Sequence, residues 1–165
     1  MPRRERNKFV KRGQILELLI EDYAYGGKGI AKVASDQGDY ILFVPNTIKG
    51  QTVTGRVVKR KNNYAECKLV DIIKRSKDEI ELPYQPISGA PFARLPIEIQ
   101  KEQKQVQTLE QYKRIGKVEN VAALFDEYIE SPLVWHYRNK MEYSFSAIGH
   151  NLETEEEYDG FAFGF

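Results

Sequence analysis

A single cysteine, Cys67, excludes an intramolecular disulfide and any metal cluster held by several thiolates of this chain. The two histidines, His136 and His150, have no acid or thiol at ligand spacing, so neither is read as a metal ligand. No apolar run approaches the roughly 18 residues of a membrane span. No apolar stretch follows the basic N-terminus, so a signal peptide is not expected either. Low-complexity tracts and internal repeats are lacking. What remains is an ordinary globular composition, 41% hydrophobic and 30% charged, with a cytoplasmic, monomeric protein as the simplest expectation.

Charge is scarce only as a net value. The formal charge of +1 conceals a gradient along the chain. Residues 1–75 carry 16 Lys and Arg against 8 Asp and Glu, a balance of +8. Residues 141–165 carry no Lys or Arg against 6 acids, a balance of −6. A basic front points to a polyanionic partner for that part alone, and the acidic stretch from Glu153 to Asp159 would repel the same partner.

Turn signals divide the basic part into short strands. Gln14 to Glu21, Ile30 to Val33, Tyr40 to Val44, the alternating Thr52–Val57 and Tyr64 to Ile73 are separated by Gly26-Gly27-Lys28-Gly29, Gln37-Gly38-Asp39, Pro45-Asn46 with Lys49-Gly50, and Asn62-Asn63. Five strands so spaced predict a small OB-like barrel over residues 13–75, after a basic arm at 1–12. Four of the seven prolines fall between Pro83 and Pro96, which predicts a linker over 76–97. Ile99, Val106, Leu109 and Tyr112 then recur at helical spacing up to Gly116, and a shorter helix is expected over Val121–Ile129. Beyond Pro132 the period becomes two. Trp135, Tyr137, Met141, Tyr143 and Phe145 would line one face of a strand, and His136, Arg138, Lys140 and Glu142 the other. Phe161, Phe163 and Phe165 begin another strand, and its ending at the last residue reads as a truncated chain. The expected class is therefore mainly β with one or two helices.

Cations and aromatics interleave on the predicted barrel. Lys28, Lys32, Arg56, Lys59, Arg60 and Lys61 would hold phosphates, while Tyr25, Tyr40 and Tyr64 would stack on unpaired bases. Phe43 is assigned to the core. Gly26-Gly27-Lys28-Gly29 lacks the Gly-Lys-Ser/Thr ending of a phosphate loop and opens no helix, so that reading is rejected. Arg138 and Lys140 form a second cationic pair, the former suited to two-pronged phosphate contacts; the competing reading is a solvent-facing pair bridged to Glu142. Cys67, mid-strand between Glu66 and Lys68, is read as a buried structural thiol rather than a nucleophile.

Four segments in order then resemble a known module: Gly26-Gly27-Lys28-Gly29-Ile30-Ala31-Lys32, Phe43-Val44-Pro45-Asn46, Ile48-Lys49-Gly50-Gln51-Thr52-Val53 and Tyr64-Ala65-Glu66 with Val70-Asp71-Ile72. Over residues 13–74 the chain is similar to a TRAM domain, a small RNA-binding barrel attached to tRNA- and rRNA-modifying enzymes. Ser131-Pro132 ahead of Trp135-His136-Tyr137-Arg138-Asn139-Lys140-Met141-Glu142, with Gly160-Phe161-Ala162-Phe163-Gly164-Phe165, resembles the start of the central domain of the RNA uracil-5 methyltransferases.

The resemblance implies an RNA partner, rRNA or tRNA. It also implies S-adenosylmethionine as methyl donor for a longer enzyme whose donor site and catalytic cysteine lie downstream, so that no catalytic residue is expected in this chain. Many members carry an iron–sulfur cluster between barrel and helix; Pro83 to Arg94 offers no thiolate there, and no cluster is expected. The rival expectations are a stand-alone RNA-binding adaptor and a barrel that binds protein alone.

Overall fold

The computed structural model describes residues 10–34, 38–82, 89–151, 154 and 156–164. Most of the expected basic arm, part of the Gln37 turn, Pro83 and Pro86 of the expected linker, and Phe165 lie outside the described residues. Two compact units divide the chain, residues 1–125 and 126–165.

In the first unit β1 (Ile15–Leu19), β2 (Asp22–Tyr23), β3 (Gly29–Val33), β4 (Tyr40–Val44), β5 (Thr52–Arg60) and β6 (Tyr64–Lys74) form one curled sheet. Their order is β1-β5-β6-β4-β3-β2. Six strands stand where five were expected because the first one bends. The amide of Ile20 donates to Gln51 on the β5 side, and that of Glu21, one residue on, donates to Ile30 in β3. One stretch of chain thereby forms both edges of the sheet.

Alternation decides what is buried. Tyr40, Leu42 and Val44 of β4, Val53 and Val57 of β5, and Ala65 and Cys67 of β6 face inward with Val10, Leu18, Ile20 and Ala31. Gly55 is needed between them, since a Cβ there would lie 3.0 Å from Leu18 Cδ1 and 3.4 Å from Cys67 Cβ. Burial pushes the Cys67 thiol up to about 11, above its ordinary value of 9.0. Burial likewise raises Tyr40 and Tyr23. The folded chain holds these protons more tightly than the unfolded chain. Their contribution is complete below the unfolded values and is lost as pH rises through the folded ones. For Cys67 alone the loss should reach about 1.4 kcal/mol by about pH 10. Urea titrations across alkaline pH will measure it, and a Cys67→Ala chain should show a smaller decline.

The expected linker is not a free segment where it is described. Ser76 is buried and its hydroxyl donates to the Lys49 carbonyl at 2.7 Å. Glu79 is the centre of the arrangement. Its side chain is 1% exposed, and its carboxylate accepts from Gln51 Nε2 at 2.9 Å, Arg75 at 3.0 Å and Arg94 at 3.0 Å. Phe92 and Leu95 form a second core with Tyr23 and Ile48, Phe92 meeting the Tyr23 ring edge-on at 5.0 Å. Apolar burial and one shared carboxylate therefore fasten residues 76–82 and 89–95 to the sheet.

Helix α1 (Ile97–Arg114) follows that segment within the same unit, then α2 (Val121–Leu124). Ile99 packs against the second core, but no residue of α1 is fully buried, and Val106 and Tyr112 are exposed. The second helix ends at Leu124, short of the expected Ile129. No helix among the described residues is long and apolar enough to cross a membrane.

The second unit holds β7 (Ser144–His150) paired antiparallel with β8 (Glu157–Gly164). The strand expected to run from Trp135 begins only at Ser144. His136 has a φ of 59°, which an extended strand does not accommodate, and the register with β8 starts at Ser144. Tyr143, Phe145, Phe161 and Phe163 cluster on the hairpin, with Phe145 and Phe161 centroids 5.5 Å apart.

Candidate nucleic-acid interface

The residues that alternation turns outward on β3, β4 and β6 make one face. Ile30 pairs with Phe43 and Lys32 with Ile41 across β3 and β4. Ile41 in turn pairs with Tyr64 and Phe43 with Glu66 across the parallel β4–β6 contact. Phe43 and Tyr64, both half-buried, meet edge-on at 5.6 Å. Phe43 was expected in the core; with Leu42 and Val44 inward, a period of two sends it out. The result is a partly exposed aromatic pair on an open sheet surface, the element on which an unpaired base stacks.

Two turns bracket this face. At one end, Tyr25 sits at the tip of the β2–β3 turn, 74% exposed, and Lys28 follows, also exposed. Gly27 donates to the Ala24 carbonyl at 2.9 Å, closing a turn in which Gly26 takes a φ of 85°. At the other end is the β5–β6 turn with Lys61 exposed. Lys32 lies between them, 3.5 Å from Glu21, and Lys59 lies 3.2 Å from Glu66. Both pairs are at the surface, where such contacts contribute little and a phosphate can replace the carboxylate.

Two expected contacts are revised. Tyr40 is 2% exposed, and its hydroxyl lies 2.8 Å from the Lys61 carbonyl and 2.7 Å from that of Tyr64. It cannot stack on a base; it holds the turn that carries Lys61. Arg60 is half-buried against the Tyr40 hydroxyl, and its Nε is buried without a partner among the described residues, so it faces inward rather than toward a phosphate. Arg56 is exposed and stands in register with Ile15 and Lys68 on the outward side of β1, β5 and β6. Lys68 extends the basic track there.

In the second unit, Arg138 and Lys140 lie on an irregular exposed segment and not on a strand. Arg138 Nε donates to the Lys140 carbonyl at 2.9 Å, and Lys140 is 2.7 Å from Glu142. Lys140 thus has the Glu142 bridge that formed the competing reading. Among the described residues no three His, Cys, Asp or Glu side chains gather as metal ligands.

Residues 10–70 match the TRAM domain family. They form a TRAM domain. The chain is also related to proteins named as RNA methyltransferases. It is 36% identical over 136 residues to one from Listeria monocytogenes, 31% to one from Clostridium acetobutylicum and 30% to one from Halalkalibacterium halodurans. Each match covers 81% of this chain, which spans only 28–29% of the length of these relatives. A conserved protein of Methanococcus maripaludis, solved in solution, is 36% identical, with 39% of this chain and 86% of that one covered and a TM-score of 0.34. The TRAM match ends at residue 70, so Glu79, Phe92, Leu95 and α1, which pack onto the domain, lie outside it.

Proposed function

We propose that this chain is the RNA-recruiting part of an S-adenosylmethionine-dependent RNA uracil-5 methyltransferase acting on rRNA or tRNA. The observation that carries the reading is the face described above: an aromatic pair flanked by Lys28, Lys32, Lys59 and Lys61, on a TRAM domain, in a chain related to RNA methyltransferases. Cations fix the backbone and rings stack on unpaired bases, which suits a single-stranded target whose base must leave its stack before modification. The TRAM face recruits and positions that strand.

The donor and the attacking thiolate belong to other parts of the longer enzyme. Cys67 is buried in the barrel with its thiol pushed up to about 11, so it supplies no thiolate at neutral pH. A lone thiol also cannot hold an iron–sulfur cluster. The chain by itself therefore transfers no methyl group from labelled S-adenosylmethionine to uridine-containing RNA.

Fluorescence titration of the whole chain with a single-stranded oligouridine tests the reading. Each phosphate contact contributes about −0.7 to the slope of log K against log salt, so four lysines give a slope of about −3. Between about 50 and about 200 mM salt that amounts to roughly fiftyfold in affinity. Lys28→Ala with Lys61→Ala should remove about 1.4 from the slope. No binding at low salt would overturn the reading.

A further inference from the structure

The tip that carries Tyr25 is fastened from outside the TRAM domain. Its pivot is the Ala24 carbonyl, which accepts from Gly27 inside the turn at 2.9 Å and from Gln107 Nε2 of α1 at 3.3 Å. Ala24 also donates to Lys28, so the same residue fixes both ends of the turn. Below it, the ring of Pro91 lies so close to Gly27 that a Cβ there would come within 2.5 Å of Pro91 Cγ, with Phe92 at 3.4 Å. Phe92 in turn meets edge-on the ring of Tyr23, the residue from which the turn departs. Two separate elements, the segment around Pro91 and helix α1, converge on five residues whose exposed side chains are the aromatic Tyr25 and the cation Lys28.

We infer that Gln107 and the Pro91-Phe92 pair are positioning residues for RNA binding: they set the reach of Tyr25 and Lys28 toward the strand lying on the β3–β4–β6 face. The inference rests on the RNA reading above and deepens it. A glycine-rich turn with two positive-φ glycines has many conformations of its own, and a base gains from stacking on Tyr25 only where the ring is held in place. Gln107 supplies that restraint without touching RNA. One Nε2 hydrogen of its amide is given to the Ala24 carbonyl, so the side chain acts on the turn itself.

A double-mutant cycle in the whole chain tests this. Gln107→Ala should weaken oligouridine binding by about threefold to tenfold, less than removal of the stacking ring itself. In a chain already carrying Tyr25→Ala and Lys28→Ala, Gln107→Ala should have no further effect. Amide exchange at Gly27 should quicken in Gln107→Ala while the melting temperature stays within experimental error. Equal losses in both backgrounds would make Gln107 a direct contact and overturn the inference. So would unchanged affinity in Gln107→Ala. Absence of binding by the unsubstituted chain would instead remove the RNA reading, and this inference with it.

Discussion

Replacing Glu79 by alanine should destabilise the first unit by about 3 kcal/mol, because one buried carboxylate satisfies three donors at once. The donors come from three places. Gln51 belongs to the loop before β5, Arg75 follows β6, and Arg94 belongs to the segment beyond the prolines. Removing the carboxylate leaves the half-buried Arg94 without its counter-charge and the buried Gln51 amide without an acceptor. Gln51 Oε1 accepts from Ile48 at 2.7 Å, so the disturbance passes into the second core. Arg75→Ala should cost far less, under about 1 kcal/mol, since its side chain is mostly in water and Arg94 remains. Urea unfolding followed by far-ultraviolet circular dichroism will separate the two, whereas Trp135 fluorescence reports on the other unit. A Glu79→Ala chain as stable as the parent would show that the carboxylate is dispensable.

Gly29→Ala should cost a similar amount, about 3 kcal/mol, by a different route. A Cβ at Gly29 runs into Thr47 Oγ1 and comes within 2.8 Å of Ile20 Cγ2. Thr47 is fully buried, and its hydroxyl donates to the Val44 carbonyl at 2.8 Å, so it has nowhere to move without losing that bond. Adding Thr47→Ala removes the atom struck. The double variant should be more stable than the sum of the single losses by at least about 1 kcal/mol. Strict additivity in urea titrations would locate the cost elsewhere.

The strands of the TRAM domain were legible because inward residues alternate with polar ones between turn signals, as in Val53, Gly55 and Val57 against Thr52, Thr54 and Arg56. Individual side chains were less so. Tyr40 and Phe43 lie three apart and must face opposite ways; weighing each ring separately put Phe43 in the core and left Tyr40 as a base contact, the reverse of their positions. Exposed Val58, Val70 and Ile73 mark where strict alternation fails. Each is the extra residue at a register shift between β5 and β6, and a bulge leaves no sequence signal of its own. The prolines at 83–96 disguised packing on either side of residues 83–88 as a linker, because Gln51 and Tyr23, which meet Glu79 and Phe92, are distant in sequence. Trp135 to Phe145 has the period of a strand, yet of its described residues Ser144 and Phe145 alone stand in strand register with β8.

The bend at Ile20-Glu21 also sets an order for biosynthesis. Residues 15–19 need β5 as their partner, β5 needs β6, and residues 22–23 need β3. On the ribosome the first strand therefore has nowhere to go until Val53 and its neighbours have emerged, and the sheet lacks its parallel β4–β6 seam until Glu66 has followed. Such distant pairings slow folding. Leu18 and Ile20, buried in the folded sheet, are meanwhile uncovered in the nascent chain, and Glu17, Glu21 and Asp22 stand around them. Those charges, of no evident use to an RNA-binding surface, act as gatekeepers during that wait.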